Sequence, residues 1–205
     1  MRVQQTTVYQ FAELSDRAKE RARDWYRYGA LMDDWYETVY DDAVEIAGLM
    51  GIEIDQRSAR TMGGSTVKHP AIYFSGFSSQ GDGACFEGRY SYAKGSVAAV
   101  KAHAPLDKDL HEIASALQEV QRRHFYQLSA SVKHTGRYYH EYCTEIQVWK
   151  ENDLECPDLV DALRSFMRWI YQRLEAEHDY LLSDESVDES IVCNEYEFTL
   201  EGDRA

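Results

Sequence analysis

Apolar residues recur along this chain at two periods, and the change from one to the other marks its elements. Ala18, Ala22, Trp25 and Tyr26 return every three or four positions, as do Trp35, Val39, Ala43, Ile46 and Leu49/Met50. That spacing predicts two amphipathic helices, over residues 16–28 and 33–50. Ser15 is placed to cap the first, and Gly29 and Gly51 to stop them. The short connection makes the pair a helical hairpin. Upstream, residues 8–11 alternate and read as a short strand.

The period then falls to two. Residues 52–56 alternate and read as a strand, and residues 58–68, polar and holding Gly63-Gly64, read as a loop. Residues 71–77 and 84–92 are two strands joined by Gln80-Gly81-Asp82-Gly83. Residues 93–104 are a weakly patterned connection. A long helix over 107–125 follows, with Leu110, Ile113, Ala114, Leu117 and Val120 on one face. Residues 126–134 and 138–149 form a second hairpin around Thr135-Gly136-Arg137. In it Leu128, Ala130, Val132, Tyr142, Ile146 and Val148 point inward, and Lys133, Glu141 and Glu145 point outward.

Residues 150–156 are a polar break. Pro157 suits the first position of the longest helix, 158–182. Ser183 caps a short helix ending near Cys193, and residues 196–200 read as an edge strand. This order predicts a single α+β domain over residues 1–205. An antiparallel sheet of four to six strands packs against several helices, with a helical, acidic C-terminal third.

Composition narrows the function classes. The chain has 205 residues, 44% hydrophobic and 13% aromatic with 15 tyrosines, enough for a substantial core. No apolar run approaches the roughly 20 residues a membrane helix needs, and residues 1–5 lack the apolar stretch of a secretory signal. Cys85, Cys143, Cys156 and Cys193 have neither zinc-finger nor disulfide-framework spacing, which fits reduced thiols in a cytoplasm.

The net charge is −14, and it is concentrated late. Residues 151–205 hold 16 acids against four arginines. Such a surface repels nucleic-acid phosphates and attracts a basic protein. Glu175, Glu177, Asp179, Asp184, Glu185, Asp188 and Glu189 are the candidate partner-binding residues. Acids on exposed helices also keep a protein soluble with no partner involved.

Chemistry is sparse. The turn residues Gln80 and Asp82, with Glu87, His140 and Glu141 from neighbouring strands, are the candidate ligand site. Its glycines allow close backbone approach, but the same turn also serves simply to reverse the chain. Calcium-loop, P-loop and dinucleotide motifs are absent. His140 and Cys143 have opposite strand parity, which argues against a nucleophile–base pair. No catalytic constellation, metal site or cofactor is predicted.

Tyr9-Gln-Phe-Ala-Glu-Leu-Ser-Asp-Arg-Ala-Lys-Glu-Arg-Ala22 resembles the opening of a group of small bacteriophage and prophage proteins. Residues 35–43, the Phe-Ser-Gly-Phe-Ser-Ser-Gln-Gly-Asp-Gly-Ala block within 74–88, residues 121–128, Gly136-Arg-Tyr-Tyr-His-Glu-Tyr-Cys143, Trp169 and Asn194-Glu-Tyr-Glu-Phe198 extend the similarity. The resemblance implies a mobile-element accessory protein acting in the bacterial cytoplasm, and no reaction. Joined to the acidity, it suggests an inhibitor of a host protein with a basic surface. An antiphage defence component is the expected target, in the manner of an anti-CRISPR, with no direct contact to nucleic acid or membrane. A small-ligand or nucleotide binder or enzyme built on the Gln80–Asp82 turn is the alternative expectation, and a phage regulatory or antitoxin-like partner a third.

Overall fold

The structure, a computed structural model, describes residues 7–31, 34–60 and 64–205. Residues 1–5, Asp33 and Gly63, which enter the expectations above, lie outside the described residues. The chain divides into two compact units, residues 1–36 with 176–205, and residues 37–175.

The N-terminal part of the first unit begins with β1 (Tyr9–Gln10). The expected strand is cut short because residues 11–13 coil into a 3-10 turn, held by the Glu13 carboxylate accepting from the Gln10 N–H at 2.7 Å. Ser15 caps α1 (Asp16–Ala30) as expected, its side chain accepting from the Ala18 N–H at 3.4 Å. Gly29 does not stop this helix. It lies inside α1, whose cap is Leu31.

The second unit opens with α2 (Glu37–Met50), which buries Tyr40, Ala43, Ile46, Ala47 and Met50. Gly51 ends it at φ +83, a conformation that favours glycine. Six strands follow: β2 (Ile52–Ile54), β3 (Gln56–Arg60), β4 (Thr66–Pro70), β5 (Ile72–Ser75), β6 (Gly83–Phe86) and β7 (Gly88–Ser91). Single residues separate β2 from β3, β4 from β5 and β6 from β7, and these three bond to one another in a ring. Asp55 N–H donates to the Glu87 carbonyl (2.9 Å), Glu87 N–H to the Ala71 carbonyl (2.9 Å) and Ala71 N–H to the Asp55 carbonyl (2.7 Å). Around this junction β2 pairs with β7, β3 with β4 and β5 with β6, all antiparallel.

Two expectations are corrected here. Much of residues 58–68 is not loop but the β3–β4 hairpin. Its residues are nearly all exposed on both faces, so no apolar alternation announces it. The expected strand 84–92 is two strands in two sheets, broken at Glu87. Gly88 makes the junction possible, because a Cβ there would stand 2.1 Å from the Glu53 carbonyl oxygen.

A third correction concerns residues 93–104, which contain α3 (Ser96–His103). Only Ser96 and Val100 of this short helix are buried, too little to produce a visible stripe. Next comes α4 (Lys108–Arg123), capped by Asp107, whose carboxylate accepts from the Leu110 N–H at 3.0 Å. The other Asp107 oxygen accepts from the Trp169 indole at 2.9 Å. The basic end of α4 is partly neutralised, Arg123 reaching Asp158 at 2.5 Å.

β8 (Ser129–His134) and β9 (Thr144–Trp149) complete an antiparallel four-stranded sheet in the order β2-β7-β8-β9. The β5–β6 hairpin keeps its own two-stranded sheet, and only the following strand, β7, joins β8 of the second hairpin. α5 (Pro157–Leu181) begins at its proline and buries Leu159, Leu163, Phe166, Trp169, Ile170 and Leu174, the face its periodicity predicts. Phe166 meets Phe86 edge-on at 6.0 Å. Each such side chain, fully buried, contributes roughly 1.5–3 kcal/mol.

The C-terminal part of the first unit holds α6 (Asp184–Cys193), capped by Ser183, and β10 (Glu197–Phe198), which pairs antiparallel with β1. Phe11, Leu14, Ala18, Ala22, Val187, Ile191 and Phe198 form its core. Helices and antiparallel sheets make the fold α+β, as predicted. Among the described residues no helix is long and apolar enough to cross a membrane.

Candidate functional site

The expected ligand site is mostly an internal fastening. The Asp82 carboxylate accepts from the N–H groups of Ser78 (3.0 Å) and Ser79 (2.6 Å), and the Asp82 N–H returns to the Ser79 carbonyl at 3.1 Å. The acid therefore closes its own turn, while Gln80 stays exposed beside it. Glu87 sits at the opposite end of β6 and accepts from the Tyr73 hydroxyl (3.1 Å) and the His134 N–H (3.2 Å). Burial, followed by this bond to Glu87, raises the Tyr73 pKa.

Glu141 is not on the outward face of a strand. Residues 141–143 form a 3-10 turn before β9, and Glu141 is only 7% exposed. Its carboxylate accepts from Arg168 Nε at 3.3 Å and lies 3.0 Å from His140 Nδ1. The turn also removes the premise of the parity argument for His140 and Cys143, since neither lies on a regular strand. The structure brings His140 and Glu141 together and packs the His140 backbone against Gly83.

The loop they belong to is pinned by rings. Tyr73 stacks on Tyr139 at 5.3 Å, His134 lies 5.1 Å from Tyr139, and the Arg57 guanidinium covers Tyr73 at 5.2 Å. Burial pushes the Cys85 thiol up to about 12, which leaves it protonated and a poor nucleophile at neutral pH. Among the described residues no three His, Cys, Asp or Glu side chains gather as metal ligands.

The expected partner-binding acids sit in different settings. Asp188 accepts from Arg23 Nε and Nη2 (2.6 and 2.7 Å), and Asp184 pairs with Arg27 and Arg23. These two fasten α6 to α1. Asp179 lies 3.3 Å from His178 Nδ1. Glu185 and Glu189 are exposed and form no ion pair among the described residues. Glu175 and Glu177 are half-buried on α5.

A different acidic feature emerges in the second unit. A cleft of about 560 Å³ runs between β9 and the first turns of α5. Ile146, Val148, Leu154 and Val160 supply apolar lining, and Glu145, Asp153, Glu155 and Asp161 supply four carboxylates. Among the described residues none of the four is in an ion pair, although Asp153 accepts from the Gln147 amide at 3.1 Å. The cation in this lining is Arg164. Its guanidinium lies 4.9 Å from the Tyr142 ring centre, and among the described residues its buried Nε has no hydrogen-bond partner. Sequence reasoning missed this cleft because its acids come from a strand, a break and a helix. The outward-pointing Glu145 and the acids of the 150–156 break were its only signals.

The cleft lies within a recognised stretch of chain, since residues 35–184 match the model of a family described as Domain of unknown function (DUF8835). The chain belongs to that family. The DUF8835 match takes in every residue lining the cleft and leaves out Glu185, Asp188 and Glu189. No curated protein and no solved structure matches the chain.

Proposed function

We propose that this protein acts by binding a protein partner with a basic surface, and that the cleft beside β9 receives it. One observation carries the reading. Four carboxylates free of ion pairs surround an apolar floor, a combination that favours a cationic, partly hydrophobic ligand over an anionic one. The resemblance to phage and prophage proteins directs the search for the partner toward nucleic-acid-binding components of host defence in the bacterial cytoplasm. Such components need basic surfaces to hold phosphates. Inhibition would then be steric and electrostatic, the acid rim occupying the surface that nucleic acid uses.

The small-ligand reading of the Gln80–Asp82 turn has less support. Asp82, Glu87 and Glu141 each already accept hydrogen bonds that hold the fold.

The test is capture of host proteins by the tagged protein, alongside a variant with Glu145→Lys, Glu155→Lys and Asp161→Lys. The expected result is a basic partner retained at low salt, released as salt rises and lost by the variant. Equal retention by the variant overturns the reading.

A further inference from the structure

We propose that the partner docks as an added β-strand, antiparallel to β9, between that strand and α5. The inference rests on the basic-partner reading and names how the partner is held.

β9 is an edge strand of the four-stranded sheet, and its inner edge is bonded to β8 in a known register. Ser129, Ala130, Ser131 and Val132 face Trp149, Val148, Gln147 and Ile146. The Val148 carbonyl accepts from the Leu154 N–H at 2.9 Å, so it points away from β8. In an antiparallel ladder, residues alternate between bonding the neighbour and facing outward. The Thr135 N–H to Cys143 carbonyl bond (2.8 Å) shows the same parity at the other end. Thr144, Ile146 and Val148 therefore present backbone groups to the outer edge. Among the described residues the N–H and C=O of Ile146 and the N–H of Val148 have no partner there.

Among the described residues, the protein's own chain covers only one end of this edge. Residues 150–156 fold back so that Asp153 bridges Trp149, and the pairing stops at Val148. Residues 144–148 remain open, roughly 16 Å of edge at strand rise. Natural edges are commonly blunted by lysine, proline or a bulge, whereas β9 reads Thr-Glu-Ile-Gln-Val-Trp.

The surroundings specify the occupant. Ile146 and Val148 turn toward α5, where Val160 and Leu154 complete an apolar wall. Glu145 and Gln147 border the same cleft at the strand edge, but they alternate with Ile146 and Val148, so their exposed side chains project from the other face. An added strand would place alternate residues against each face. Apolar side chains would enter the wall, and lysines or arginines would lie beside Glu145. Asp153, Glu155 and Asp161 add negative charge at the rim. The occupant is therefore an extended segment of the partner in which apolar and basic residues alternate. A second copy of this chain is disfavoured, because edge-to-edge pairing would bring one acid rim against another. Arg164, with an Nε lacking a partner among the described residues, stands on the helical wall beside this path.

The test uses a short blocked peptide alternating valine and lysine, followed by fluorescence anisotropy with the full chain. In the antiparallel arrangement, the residues whose side chains face α5 also direct their N–H groups at β9. N-methylation of the valine amides should weaken binding by about tenfold or more, while N-methylation of the lysine amides should leave it near the parent. Ile146→Pro, which removes an outward N–H that β8 does not use, should match the valine-methylated loss. Circular dichroism checks that this variant folds, and the peptide series stands without it. Equal binding of the valine-methylated and parent peptides overturns strand addition. If those equal affinities are both lost in the Glu145→Lys, Glu155→Lys, Asp161→Lys variant, the basic-partner reading survives. If the parent peptide fails to bind, or binds wild type and that variant alike, both readings fall. A dimer in solution that excludes the peptide also overturns the proposal.

Discussion

The N–H of Leu154 donates to the carbonyl of Val148 at 2.9 Å, and that bond fixes which backbone groups β9 shows to its outer edge. It caps one end of the strand and leaves the rest uncovered. The carboxylates of Glu145, Asp153, Glu155 and Asp161 stand around the open stretch. The recognition surface we propose combines this unfinished sheet edge with the charge placed beside it.

Asp82 should behave as a structural latch. Its carboxylate holds two backbone N–H groups of its own turn. Asp82→Ala should lower stability by about 1–2 kcal/mol in urea unfolding, with Asp82→Asn in between. Wild-type stability in Asp82→Ala would contradict this and return the turn to consideration as a ligand site.

Gly88 and Gly29 should respond to alanine in opposite directions. At Gly88 the new Cβ would meet the Glu53 carbonyl oxygen at 2.1 Å, inside a junction of three backbones that cannot easily move. A loss of roughly 3 kcal/mol is expected in thermal or urea unfolding. At Gly29, inside α1, nothing lies within 4 Å of the added carbon. There alanine should add about 0.5–1 kcal/mol through helix propensity.

Elements with one buried face were legible in the sequence. The stripes of α4 and α5 and the caps Ser15 and Ser183 are where their patterns place them, while α2 buries Ala43, Ile46 and Met50 as expected but starts at Glu37, leaving Trp35 outside it and burying Tyr40 in place of Val39. The β3–β4 hairpin was not legible, because neither of its faces is buried and alternation carries no information there. The break at Glu87 was hidden for another reason. It is set by bonds to Asp55 and Ala71, residues distant in sequence. Among the candidate site residues, the pairing of His140 with Glu141 follows from adjacency, while the burial of Glu141 depends on a 3-10 turn that strand parity cannot reveal. The acids of α6 were visible, but not the arginines of α1 that neutralise Asp184 and Asp188.

Stability should fall on the alkaline side. Burial pushes the Cys85 thiol up to about 12 from an ordinary 9.0 and the Tyr90 hydroxyl up to about 12 from 10.0. In the unfolded chain both lose their protons at lower pH than in the folded one. Their contribution is therefore complete below about pH 9 and is lost as pH rises toward 12. Urea midpoints measured from pH 7 to 11 should decline above about pH 9, and Cys85→Ala should flatten the decline. A midpoint independent of pH across that range would contradict the burial of both groups.

Asp188 and Glu189 are neighbours with different duties. Asp188 holds Arg23 through two hydrogen bonds, with the arginine side chain 17% exposed. Asp188→Ala should cost about 1–2 kcal/mol, a charged hydrogen-bonded pair reduced for its partial exposure. Glu189→Ala should stay within about 0.5 kcal/mol. Urea unfolding of the two variants separates a fastening acid from a solvated one, and equal effects would contradict the assignment.

The most direct measurement is amide hydrogen exchange on the protein with the alternating valine–lysine peptide, standing in for the proposed basic partner, bound, compared with the free protein. Strand addition at β9 should slow exchange at Ile146 and Val148 and along the first turns of α5, with α6 unchanged. Slowed exchange at Glu185–Glu189 with β9 unaffected would contradict it and place the partner on the acidic helix instead.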